Sequence, residues 1–158
     1  MKTYCYKALF LLIICTFLSA CQTVRYVTKP NYPTEASLVA NAYDNGLSTE
    51  LDMPYLQVYF NLKQAYQRCV AFSTDQALVF TDNRLEQEIE LGTLFAKTEH
   101  GEFLQKTLVE GLGQNKTRIS LFLPKQYKFA KQRFKQDIVR ARGQDKACNL
   151  GVVIPIQA

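Results

Sequence analysis

No tryptophan and a single histidine occur in the 158 residues, and these two scarcities exclude more than any motif establishes. His100 stands alone in the turn-like run Glu99-His100-Gly101-Glu102, and one imidazole does not close a metal's coordination sphere. A hydrolytic triad of the Ser-His-Asp or Cys-His kind would have to be built on this same residue, and no nucleophile-elbow sequence accompanies it. Also missing are a glycine-rich phosphate loop and any Cys-x-x-Cys spacing that would lower a thiol's pKa. No metal and no cofactor is therefore expected. The net charge of +5 is too mild to argue for nucleic acid as a partner. After the first twenty residues no apolar run approaches the twenty or so residues needed to span a bilayer.

What is present begins at the N-terminus. Lys2 and Lys7 precede an apolar stretch from Ala8 to Leu18, which the small residues Ser19 and Ala20 close: the three parts of an export signal. Residues 1–20 are therefore expected to be removed as a signal peptide. Leu18-Ser19-Ala20-Cys21 matches the lipobox, and the chain in this respect resembles the bacterial lipoproteins. That resemblance implies that the Cys21 thiol receives a diacylglyceryl group and that Cys21 becomes the N-acylated first residue. Three hydrocarbon tails, each buried methylene contributing about 0.8 kcal/mol, anchor far more firmly than the single chain that binds only marginally. In lipoproteins an aspartate after the cysteine favours the inner membrane; here Gln22 follows, which implies the outer membrane, facing the periplasm.

Five cysteines then reduce to two. Cys5 and Cys15 depart with the leader and Cys21 carries lipid, leaving Cys69 and Cys148. In an oxidising compartment an even pair reads as a disulfide, with two separate buried thiols as the alternative.

The remaining 138 residues suit one small α+β domain. Residues 21–52, punctuated by Pro30, Asn31, Pro33, Asn41, Asn45 and Gly46, read either as a tether with a loosely ordered arm or as an arm packed on the domain; a short helix over Thr34 to Ala40 is compatible with both. The domain proper is expected over 53–158. A helix from about Met53 to Ala71 carries the apolar stripe Val58, Tyr59, Leu62, Ala65, Tyr66 and Cys69, with Asp52 as its cap. Three or four antiparallel strands follow as a meander: Ala77 to Phe80, a turn at 81–84, Glu88 to Thr98, a hairpin at 99–102, Phe103 to Leu112, and Arg118 to Leu123. Glu86, Glu88 and Glu90 alternate along the first long strand and so share a solvated face.

A second large helix from about Lys125 to Arg142, closed by Gly143, turns Tyr127, Ala130, Phe134, Ile138 and Ala141 inward. Gly151 to Ile156 suggests a terminal edge strand. Around this second helix lie eight basic residues between Lys125 and Lys146 against Asp137 and Asp145, a net of +6. Once Lys2 and Lys7 are removed the mature chain carries only +3, so positive charge is concentrated on this element. Lys128, Lys131, Lys135 and Arg142 are the candidate binding face, either a solvated helix surface or a patch for anionic lipid headgroups or an acidic envelope protein.

The order helix, meander, helix, with one cysteine late in the first helix and another beyond the last, is similar to small outer-membrane lipoproteins of Gram-negative bacteria and to helix-grip modules of outer-membrane assembly lipoproteins. The expected function is a non-enzymatic, lipid-anchored envelope protein that binds or stabilises another envelope component. The alternatives are an accessory lipoprotein of an assembly machine and an envelope hydrolase using carboxylates.

Overall fold

Residues 33–74, 78–145 and Cys148 are described by the computed structural model. In chain order they form α1 (Glu35–Ala40), β1 (Leu47–Leu51), α2 (Tyr55–Cys69), β2 (Phe72–Ser73), β3 (Leu78–Glu86), β4 (Leu91–Thr98), β5 (Phe103–Gly111), β6 (Thr117–Phe122) and α3 (Ala130–Ala141). The strands make one antiparallel sheet in the order β1-β6-β5-β4-β3-β2. From β3 to β6 each strand neighbours the next, which is the expected meander of an α+β domain.

Alternation along β5 explains which face the two long helices cover. Gln105, Thr107 and Val109 are buried on one side, and they pair across to Ala96, Leu94 and Gly92 of β4, also buried. Onto this side α2 turns Val58, Tyr59, Leu62, Ala65 and Tyr66, the stripe its spacing predicts. At 25 cal/mol per Å² of apolar surface, full burial of each larger aliphatic or aromatic side chain contributes about 1.5–3 kcal/mol, so the stripe rather than intrinsic propensity holds the helix.

β4 is buried continuously from Gly92 to Ala96, so its opposite face is covered as well. There Phe95 meets Phe103 edge to face at 5.3 Å, with the Lys97 ammonium 4.7 Å from the Phe103 ring centre. Short α1 is held to this side by the Lys106–Glu35 ion pair at 2.7 Å and by the Phe103 amide donating to the Pro33 carbonyl.

Four expectations are corrected. The described part of 21–52 is not loosely ordered: Leu38 and Leu51 are buried, and β1 pairs with β6 from Leu47↔Leu121 to Leu51↔Thr117. Asp52 does not cap α2; Pro54 occupies the cap position with extended backbone, and the lead-in is fixed by Thr117 Oγ1 donating to the Met53 carbonyl at 2.6 Å. The polar run 81–84 is the middle of β3 rather than a turn, because Asp82 is paired to Lys97 and Asn83 accepts from the Tyr59 hydroxyl. Finally, α3 starts at Ala130 instead of Lys125, since Pro124 to Phe129 is taken up by turns in which Tyr127 N–H donates to Pro124 O and Ala130 N–H to Tyr127 O. The expected strand at 151–156 lies outside the described residues.

Gly92 is required by close approach rather than by backbone conformation. A methyl group there would penetrate the buried Tyr59 ring, whose hydroxyl is committed to Asn83 Oδ1 at 2.9 Å and so cannot swing aside freely. Gly92→Ala is expected to cost about 1–3 kcal/mol by overpacking. Thermal unfolding checks this, and an unchanged melting temperature would show that the ring has room to move.

Candidate functional site: a basic helix face above a buried ion network

α3 presents two chemically different sides. Its inner side brings Asp137 and Arg140 into the protein at 1% and 4% exposure, positions where a helix facing a core ordinarily carries apolar residues. They persist because every charge is matched. Arg140 donates to Asp137 Oδ1 at 3.1 Å and to Asp145 Oδ2 at 2.9 Å, and Gln136 also donates to Asp145 Oδ2. Gln105 Nε2 donates to Asp137 Oδ2 at 3.0 Å while its own carbonyl oxygen accepts from Arg133 Nε at 3.1 Å. The Tyr66 hydroxyl donates to Asp137 and lies 2.7 Å from Thr107 Oγ1. Burial, and then the negative charge of Asp137, hold the Tyr66 phenol well above its ordinary pKa, so it remains a neutral donor.

The network ties three elements to one carboxylate: α2 through Tyr66, β5 through Gln105 and Thr107, and α3 itself. Arg68 of α2 adds a bond to the Asp145 carbonyl at 2.6 Å, and Asn61 of α2 donates to the Ala141 carbonyl at the end of α3. Beyond that end Gly143 takes φ +71°, and the amides of Gly143 and Gln144 donate to Arg140 O and Val139 O. The chain thereby reverses, placing Cys148 against Cys69 with Cα atoms 5.2 Å apart, and the two form a disulfide. Of the two readings of these cysteines, the paired one is what the structure contains.

The outer side of α3 carries Lys131 and Lys135, with Lys128 just before the helix and Arg142 at its C-cap; all four are exposed. At 100° per residue Lys131, Lys135, Val139 and Arg142 fall within one stripe, and Val139 in it and Phe129, which follows Lys128 ahead of the helix, are 37% and 38% exposed. Elsewhere Lys97 pairs with Asp82, Lys106 with Glu35, and Lys116 and Arg118 with Glu50. Lys128, Lys131, Lys135 and Arg142 form no ion pair with any described residue.

Of the eight basic residues counted from sequence, Arg133 and Arg140 therefore belong to the buried network, where Asp137 and Asp145 balance them. Of the rest, Lys125, Lys128, Lys131, Lys135 and Arg142 are exposed, and Lys146 lies outside the described residues. Missed by sequence reading was this division, because Asp137 and Asp145 look like surface acids until the segment after Gly143 folds back.

The carboxylates behave otherwise than expected. Glu86 ends β3, Glu88 lies in a tight helical turn over Gln87–Ile89, and Glu90 has left-handed backbone, so the three do not alternate on one strand. A shallow pocket of about 350 Å³ beside β1 is lined by Glu50, Leu51, Asp52, Met53, Arg142 and Gln144. Hydrogen bonds from Lys116, and then from Arg118, hold the Glu50 carboxyl below its ordinary pKa, which makes it a poor proton donor at neutral pH. His100 lies in the exposed β4–β5 hairpin, 3.4 Å from Glu99. Among the described residues no cluster of three or more potential metal ligands occurs, and no helix is long and apolar enough to cross a membrane. Cys21 lies outside the described residues. No family model matches this chain, and no curated protein is significantly similar to it.

Proposed function

We propose that this chain is a lipid-anchored protein of the Gram-negative outer membrane, attached through Cys21 and facing the periplasm, whose domain binds or stabilises another envelope component without catalysing a reaction. The observation that carries the reading is the agreement between two unrelated features. Leu18-Ser19-Ala20-Cys21 addresses the chain to a compartment outside the cytoplasm, and the Cys69–Cys148 disulfide is of a kind that persists where thiols are kept oxidised. Gln22 supports the outer rather than the inner membrane. A binding role is supported by the outer side of α3, whose cations form no ion pair with any described residue while the inner side is locked to the core, so that the charges are presented on a rigid support.

Cys21→Ser replaces the acceptor thiol with a much poorer nucleophile. Cells grown with a fatty-acid probe are expected to label the wild-type protein and leave the variant unlabelled, with the variant retained as a longer precursor. Equal labelling of both would refute the anchor.

A further inference from the structure

We infer that the outer side of α3 is a docking surface for anionic phospholipid headgroups, and that it lays the domain flat on the bilayer that carries its own anchor. The inference rests on the lipid-anchored reading and names the component engaged. Three observations carry it. First, Lys131, Lys135 and Arg142 fall within one stripe with Lys128 in the turn just before the helix, and all four are exposed and have no acidic partner among the described residues, whereas Lys97, Lys106 and Lys116 are paired. Secondly, Val139, about four-tenths exposed, lies within this stripe, and the similarly exposed Phe129 follows Lys128 at the entry to the helix, giving the mixed basic and apolar character of a segment that sits at a headgroup boundary. Thirdly, no acidic residue occupies the outward stripe, because the only aspartate of α3, Asp137, is committed to the interior.

Reach permits the arrangement. Eleven residues, Gln22 to Tyr32, separate Cys21 from the start of the described structure, and extended chain spans up to about 3.3–3.6 Å per residue. The tether is thus about 36–40 Å at most, more than the roughly 20 Å that one helix stacked on one sheet occupies. With the anchor fixed, docking needs only reorientation, so a modest attraction suffices. Three lysines near an anionic surface bias the orientation by about a hundredfold, and the bias falls with salt as the screening length shortens to about 3 Å at 1 M.

The test uses the full mature, lipidated protein reconstituted into phosphatidylcholine vesicles with and without phosphatidylglycerol, treated with a water-soluble amine-acylating reagent and mapped by mass spectrometry. At low salt Lys128, Lys131 and Lys135 are expected to be protected in the phosphatidylglycerol vesicles alone, with protection lost at 1 M salt, while Lys116 in the β5–β6 hairpin labels equally throughout. In the variant Lys128→Gln/Lys131→Gln/Lys135→Gln, neighbouring Lys125 should label equally in both vesicle types. Equal labelling of the three lysines at low salt overturns the inference, as does protection found only in native envelopes, which would assign the face to an acidic protein. Failure of the protein to float with either vesicle type would instead refute the anchor.

Discussion

Asp137→Ala is expected to lower the stability of the oxidised protein by about 3–5 kcal/mol, the cost of removing one partner from a buried ion pair. The carboxylate receives bonds from Arg140, Gln105 and Tyr66 at 1% exposure. Without it the Arg140 cation keeps only Asp145, the Arg133 guanidinium loses its nearest negative charge, and the Tyr66 hydroxyl retains only Thr107 and Gln105. A small domain has a total stability of about 5–15 kcal/mol, so this loss brings the variant near the edge of folding. Denaturant unfolding measures it as a lower midpoint with an unchanged slope. Lys131→Gln, on the same helix but facing outward, should leave the midpoint within about 0.5 kcal/mol of wild type. A mild effect of Asp137→Ala, comparable to that of Lys131→Gln, would mean that water or rearranged side chains replace the carboxylate.

Second in expected size is the disulfide. Cys69 and Cys148 are 79 residues apart, and the chain-entropy model gives a loop of that length about 4.5 kcal/mol, with measured bridges generally between 2 and 5. Reduction also releases the segment that carries Asp145 into place against Arg140, Gln136 and Arg68. Cys148→Ser and Asp145→Asn should therefore be non-additive, the second change costing markedly less once the first is made. Unfolding with and without reductant, combined with this double-mutant cycle, checks both statements. Identical midpoints in the two conditions would contradict the first, and strict additivity the second.

Elements whose stability is local were legible in the sequence. The stripe of α2 and the alternation of β5 and β6 follow from periodicities of 3.6 and 2, which each segment displays within its own few residues. The hairpin at 99–102 carries its glycine where φ is +84°. β1 was hidden because Leu-Ser-Thr-Glu-Leu is short and follows Asn45-Gly46; what makes it a strand is pairing with β6 seventy residues later. The turn-like composition of Thr81-Asp82-Asn83-Arg84 concealed the centre of β3 for a similar reason, since its polar side chains are satisfied by Lys97 and Tyr59 from other elements. The basic face was visible as a count of charges, and all four of its named residues are exposed. Its sharper definition was not visible, because separating the half-buried Arg133 and the buried Arg140 from the outward lysines requires knowing that Asp145 returns to α3 and that Gln105 points toward it.

The account depends most on Cys21, and the mass of the N-terminal peptide of protein extracted from outer membranes examines it directly. The account predicts a mature chain beginning at Cys21 and carrying a diacylglyceryl group with a further acyl chain on its amine. A peptide that begins upstream of Cys21, or begins at Cys21 without added acyl mass, would contradict it.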